Sequence, residues 1–191
     1  MVKSTIYCVL DRSGSMSSCL SDTIGGFNTF LKDQDPDTVL SLTLFDNEIS
    51  QVYKKDVRDI EPLNAKTYVP RGGTALLDAI GHVIKSVPAD ETPSIVILTD
   101  GFENSSTKYS KLHINDLIEE KKKFGWTFVF LAANQDAIQS AQELGIPEQS
   151  ALTFDTRNVS GAFRTVSCGL KRQSTGETQG VQFNEDERKL F

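Results

Sequence analysis

"PSIVILTD" (93–100) decides the fold class. It is a short, continuous apolar run closed by an acid. A strand with one wet face alternates apolar and polar residues, whereas a strand apolar at every position is covered on both faces, as in a parallel sheet. "STIYCVL" (4–10) and "WTFVFLAA" (126–133) read the same way, and "VLSLTLF" (39–45) and "SALTFD" (150–155) add two more strands. Between them, apolar residues recur at helical spacing. Leu20, Ile24, Phe27 and Leu31 form one stripe from Cys19; Leu76, Leu77, Ile80, Val83, Ile84 and Val87 form a second, ended by Pro88. Residues 110–124, "QDAIQSAQELG" (135–145) and "VSGAFRTVSCGLKR" (159–172) complete the helices. "ISQVYKK" (49–55) follows 39–45 across the tight turn "DNE", a hairpin that makes one edge strand antiparallel. Strand–helix alternation of this kind predicts an α/β fold, doubly wound and mostly parallel, with helices on both faces. One domain is expected over residues 1–173. Residues 174–191 read as a polar, loosely held tail, in which "VQFNED" is able to pair as an extra edge.

Composition narrows the function. A chain of 191 residues, 38% hydrophobic and 24% charged, is an ordinary globular domain with room for a real core. A formal charge of −6 argues against broad nucleic-acid binding, which needs a basic face. Lys121–Lys122–Lys123 follow Glu119 and Glu120 and read as the last turn of a helix, where cations complement its dipole. No apolar run approaches the ~20 residues of a membrane span. The N-terminus runs straight into a strand without a signal-peptide pattern. Cys8, Cys19 and Cys168 are odd in number and lack CxxC spacing, which fits free thiols in a reducing compartment. A cytoplasmic location is expected (the host cytoplasm if the source is viral), and the sequons at Asn104 and Asn158 are discounted accordingly.

In a doubly wound sheet, ligands bind beyond the C-terminal strand ends where the strand order reverses. With the order 3-2-1-4-5-6, the first and fourth strands are neighbours there. The first ends in "DRSGS" (11–15) and the fourth in Asp100, and "PRGGT" (70–74) opens the helix leading into the fourth. Asp11, Ser13, Ser15, Thr74 and Asp100 should therefore surround one point. Crowded oxygens of this kind suit a hard cation. Taken singly, Asp11 and Ser13 also read as caps, Asp100–Gly101 as a plain turn, and Gly72–Gly73 as a flexible loop. Arg12 reads as a surface residue beside the site or as a clamp for a partner's carboxylate, and Glu103 as an acid that brushes the metal position or, the favoured reading, as an exposed loop acid.

"DRSGS", "GGT" and "TDG" together resemble the D-x-S-x-S … T … D pattern of the von Willebrand factor A domain, its metal-ion-dependent adhesion site. The resemblance spans about residues 3–170 and fills all five positions. It is nearest to short, free-standing intracellular members of bacteria and their viruses, such as the tellurium-resistance group. It implies a six-stranded Rossmann-like sheet with one antiparallel edge. It also implies Mg²⁺ (or Mn²⁺) bound directly by Ser13 and Ser15, directly or through water by Thr74, and largely through water by Asp11 and Asp100. A protein partner would complete the coordination with a Glu or Asp carboxylate. Affinity switching through a sliding last helix, here about 159–172, occurs in the family; a static helix is the reading favoured for this chain.

Other chemistries find less support. There is no P-loop and no G-x-S-x-G elbow. Ser105–Lys108 forms a Ser-x-x-Lys in a polar loop without companion motifs, and His82 and His113 lack metal-ligand spacing. The sequence thus points to a binding module and not an enzyme. The alternatives are a structural or virion-associated component with a vestigial metal site and, with less support, a metal-dependent hydrolase.

Overall fold

The computed structural model describes residues 4–133 and 137–189. Six strands, β1 (Thr5–Asp11), β2 (Val39–Phe45), β3 (Ile49–Asp56), β4 (Ser94–Thr99), β5 (Thr127–Ala133) and β6 (Ala151–Phe154), form one sheet in the order β3-β2-β1-β4-β5-β6. All pairings are parallel except β2–β3, whose register shifts at Leu42/Thr43. The helices are α1 (Leu20–Asp33), α2 (Leu76–Ser86), α3 (Lys111–Lys123), α4 (Ala137–Glu143), α5 (Val159–Ser174) and the short α6 (Glu185–Arg188). The doubly wound architecture and its antiparallel edge are as the sequence predicts.

Successive residues of a strand point to opposite faces, and here both faces are dry. Val96 and Leu98 of β4 join the cluster under α1 and α5, while Ile95 and Ile97 join the cluster under α2, α3 and α4. That division explains why the central strands are apolar without alternation. Helix α1 lies close on α5 because Gly26 is bare: a Cβ there would sit 2.8 Å from the Ser160 Cα.

Helix α1 begins at Leu20, where the predicted stripe begins, after a 3-10 turn (Gly14–Cys19). Of the helix expected over 135–145, residues 135 and 136 lie outside the described residues. Beyond α5 the chain is not loosely held. Val181 and Phe183 are buried in the α1–α5 cluster, with Val181 filling the space a side chain at Gly169 would need. Arg172 on α5 pairs through both terminal nitrogens with Glu187, at 2.8 and 2.9 Å, and Asn184 and Glu187 form a reciprocal cap on α6. "VQFNED" adds no strand; it meets the 3-10 turn ahead of β6 (Glu148–Ser150) through the Phe183 amide, which donates to the Gln149 carbonyl, and the Ser150 hydroxyl, which donates to the Val181 carbonyl. Both ends of the described chain approach the N-terminal strand ends: the Ser4 carbonyl accepts from the Val39 amide, and Arg188 reaches Glu148 just ahead of β6.

Candidate functional site

Because β1 and β4 are parallel neighbours with Leu10 opposite Leu98, Asp11 and Asp100 emerge side by side at the C-terminal edge. Asp11 is fully buried and both carboxylate oxygens are occupied. One accepts from the Ser13 amide (2.6 Å), the other from the Thr99 hydroxyl (2.5 Å). Its backbone carbonyl accepts from the Tyr68 hydroxyl. From there oxygens follow in a chain: the Ser13 and Ser15 hydroxyls are 3.1 Å apart, and the Ser15 hydroxyl donates to Asp100 at 2.5 Å. Ser13, Thr74 and Asp100 are buried, while Ser15 is exposed and opens the cluster to solvent.

Thr74 arrives from the other side of the reversal point. Its hydroxyl lies 3.2 Å from where a Cβ on Gly101 would be, and the Ser15 hydroxyl lies 3.5 Å from the same place. A side chain after Asp100 would press on the Thr74 hydroxyl and touch that of Ser15, so both approach the backbone at Gly101. The Gly14 amide donates to the Gly72 carbonyl and the Arg71 amide to the Arg12 carbonyl, which joins the loop of Thr74 to that of the serines. All five residues singled out by the sequence are brought to one mouth.

Burial pushes the Asp11 carboxyl up to about 6, helped by the charge of Asp100 and opposed by the Thr99 and Ser13 hydrogen bonds. Burial also raises Asp100, against the hydrogen bond from Ser15. In both, burial outweighs the hydrogen bonds that favour the charged form. Among the described residues no group of three or more His, Cys, Asp or Glu converges on a metal position. The donors here are hydroxyls beside two carboxylates, a set suited to a hard, oxygen-seeking cation. The 3.1 Å between the two serine oxygens fits the edge of a Mg²⁺ octahedron, about 3 Å for bonds of 2.0–2.1 Å. The residues fit the ion.

Four further residues shape the site without belonging to the motif. Asp46, buried at the end of β2, binds Arg12 and Arg71, both at 2.8 Å, so Arg12 is tied into the fold beside the site. Glu103 is neither at the metal position nor a free loop acid: it accepts from the amides of Leu77, Ser105 and Ser106, capping the start of α2. Asp78 accepts from the amides of Thr107, Lys108 and Tyr109. Asn104 holds the Thr74 backbone, its side-chain oxygen accepting from the Thr74 amide. None was singled out for such a role, because a loop-to-loop hydrogen bond leaves no periodic signal. Asp78 and Asn104, each four positions past Thr74 and Asp100, were the available hint.

No family model and no curated protein sequence matches the chain. Solved structures do. The vWF domain of the type V pili tip protein Mfa5 from Porphyromonas gingivalis superimposes with a TM-score of 0.69 at 12% identity, over 96% of this chain and 98% of that one. Manganese-loaded Plasmodium vivax TRAP protein gives 0.58 at 18% identity, over 84% and 71%. Proximal thread matrix protein 1 from the mussel byssus gives 0.61 at 15% identity; 87% of this chain spans 47% of that one, about half its length. At these identities the likeness concerns the fold alone, and the fold of this chain is that of the von Willebrand factor type A domain.

Proposed function

We propose that the chain is a metal-dependent protein-interaction module that takes a Glu or Asp of a protein partner through Mg²⁺ or Mn²⁺ held by Asp11, Ser13, Ser15, Thr74 and Asp100. The observation that carries this reading is the unbroken run of hydrogen bonds Thr99–Asp11–Ser13–Ser15–Asp100 across two strand ends, open to solvent at Ser15. Ser13, Ser15 and Thr74 would offer neutral oxygens to the ion, while Asp11 and Asp100 hold those hydroxyls in place from behind. Bound among neutral donors, the cation stays electrophilic toward a partner carboxylate, an attraction of roughly 4 kcal/mol per unit-charge pair at ~4 Å and an effective dielectric near 20, before desolvation. The manganese in the similar TRAP structure supports the choice of ion, and the pilus-tip neighbour supports a protein partner.

No catalytic turnover is assigned. His82 and His113 lie on α2 and α3, not on the loops that form the site, and the Lys108 amide of the Ser-x-x-Lys serves Asp78. Cys8, Cys19 and Cys168 are all free, which supports a cytoplasmic setting. No described helix is long and apolar enough to cross a membrane. The test is a thermal melt with and without Mg²⁺, then capture from native lysate with and without EDTA. Mg²⁺ should raise the melting temperature of the parent and not of Asp11→Ala. A parent chain indifferent to millimolar Mg²⁺ and Mn²⁺ would sink the reading and leave the vestigial-site alternative.

A further inference from the structure

The turn Gly72–Gly73–Thr74 is gripped from two sides by asparagines that the five-residue motif does not contain. Asn47, at the tip of the β2–β3 turn, accepts from the Gly73 amide at 2.7 Å. Asn104, in the loop between β4 and α3, accepts from the Thr74 amide at 2.9 Å and returns its own amide to the Thr74 carbonyl at 3.0 Å. Both backbone groups of Thr74 are thus bound by one residue. Both glycines lie too close to the gripping loops for a side chain. A Cβ on Gly72 would collide with the Asn47 side-chain oxygen, and one on Gly73 would collide with the Ser105 hydroxyl and lie 2.8 Å from the Asn104 side-chain oxygen. Gly72 also has φ 66°, which a side chain would resist.

The gripping loop is itself fixed. Glu103 and Asp78 together accept from five of its amides, those of Ser105, Ser106, Thr107, Lys108 and Tyr109. This loop also begins with Asp100, so Thr74 is fastened to the segment that supplies the site's second acid. We propose that Asn104, assisted by Asn47, is a positioning residue. It sets the Thr74 hydroxyl in one place relative to Ser13, Ser15 and Asp100 and thereby sets the cation affinity of the site. The inference rests on the metal reading above for its consequence and on the hydrogen bonds alone for its geometry. Held by its backbone in this way, Thr74 would present its hydroxyl to a bound cation from one position.

The experiment combines Mn²⁺ titration by calorimetry with residue-resolved amide exchange on the full chain. Asn104→Ala should weaken Mn²⁺ binding about tenfold, at the lower end of what loss of a supporting partner costs a metal site. It should also accelerate exchange of the Thr74 amide at least tenfold. Asn104→Asp keeps the acceptor oxygen and should return that amide to parental protection. Parental Mn²⁺ affinity or parental Thr74 exchange in Asn104→Ala would overturn the assignment. A parent chain that takes up no Mn²⁺ would overturn the metal reading instead, and Thr74 exchange alone would then decide the positioning role. Should Asn104→Ala not fold, Asn47→Ala releases the Gly73 amide instead and is judged by Mn²⁺ affinity and by exchange of the Gly73 amide.

Discussion

Ser15 is the site hydroxyl that faces solvent, and it bridges Ser13 to Asp100. Ser15→Ala removes one of the clustered hydroxyls and the hydrogen bond that Asp100 accepts from it. A loss of Mg²⁺ affinity of at least ten- to a hundredfold is expected by calorimetry, with a fold intact by circular dichroism. Asp78 gives the residue-scale pH prediction. Burial alone would raise its carboxyl, but the amides of Thr107, Lys108 and Tyr109 outweigh that and hold it below the usual 3.8. The ionised form is therefore favoured by folding. Its contribution is present above the ordinary carboxylate range and is lost as pH falls through the lowered folded value. Asp78→Asn should lower the urea midpoint at pH 7 and flatten its decline below pH 4. Equal slopes in parent and variant would refute this.

At the scale of elements, the strands were legible because burial on both faces makes them continuously apolar, as in Ser94–Thr99 and Thr127–Ala133. The hairpin was legible from its turn, and the five site residues from their places at strand ends. The strap after α5 was not. Among the described residues it contributes only Val181 and Phe183 to the core, and their seat exists only once Gly169 has been brought beneath them by folding. Replacement of an interior helical glycine by alanine ordinarily stabilises by about 1 kcal/mol. At Gly169 the new methyl would stand 2.7 Å from the Val181 Cγ1, so Gly169→Ala should destabilise by about 1 kcal/mol or more. In a Val181→Ala background the nearest remaining atom is the Phe183 Cε1 at 3.6 Å, and the same change should stabilise. A double-mutant cycle in urea reads this reversal of sign, and additivity would disprove the seat. Phe183→Ala alone should cost about 3 kcal/mol.

Over the whole molecule, α5 is fastened along its length. Ser160 binds Asp22, Ser167 binds Gln34, Gln173 binds Ser94 and Thr127, and Arg172 binds Glu187. Sliding this helix would break contacts with α1, the sheet and the strap at once. Mg²⁺ should therefore slow amide exchange in the 70–76 loop and leave residues 159–174 unchanged; joint changes in both would show a switch. At a hundred times the dissociation constant the ion should contribute about 2.7 kcal/mol. For a chain of this size that is roughly 5–10 °C in melting temperature.

The two ends of the described chain sit at the N-terminal strand ends, and the candidate site sits at the C-terminal ends, a sheet's height away. For anyone immobilising the molecule, this separation removes a common difficulty. An affinity handle or surface linker attached at either terminus leaves the mouth around Ser15 pointing into solution. Capture on a biosensor chip by one end, then by the other, should give matching partner kinetics without re-engineering the fold.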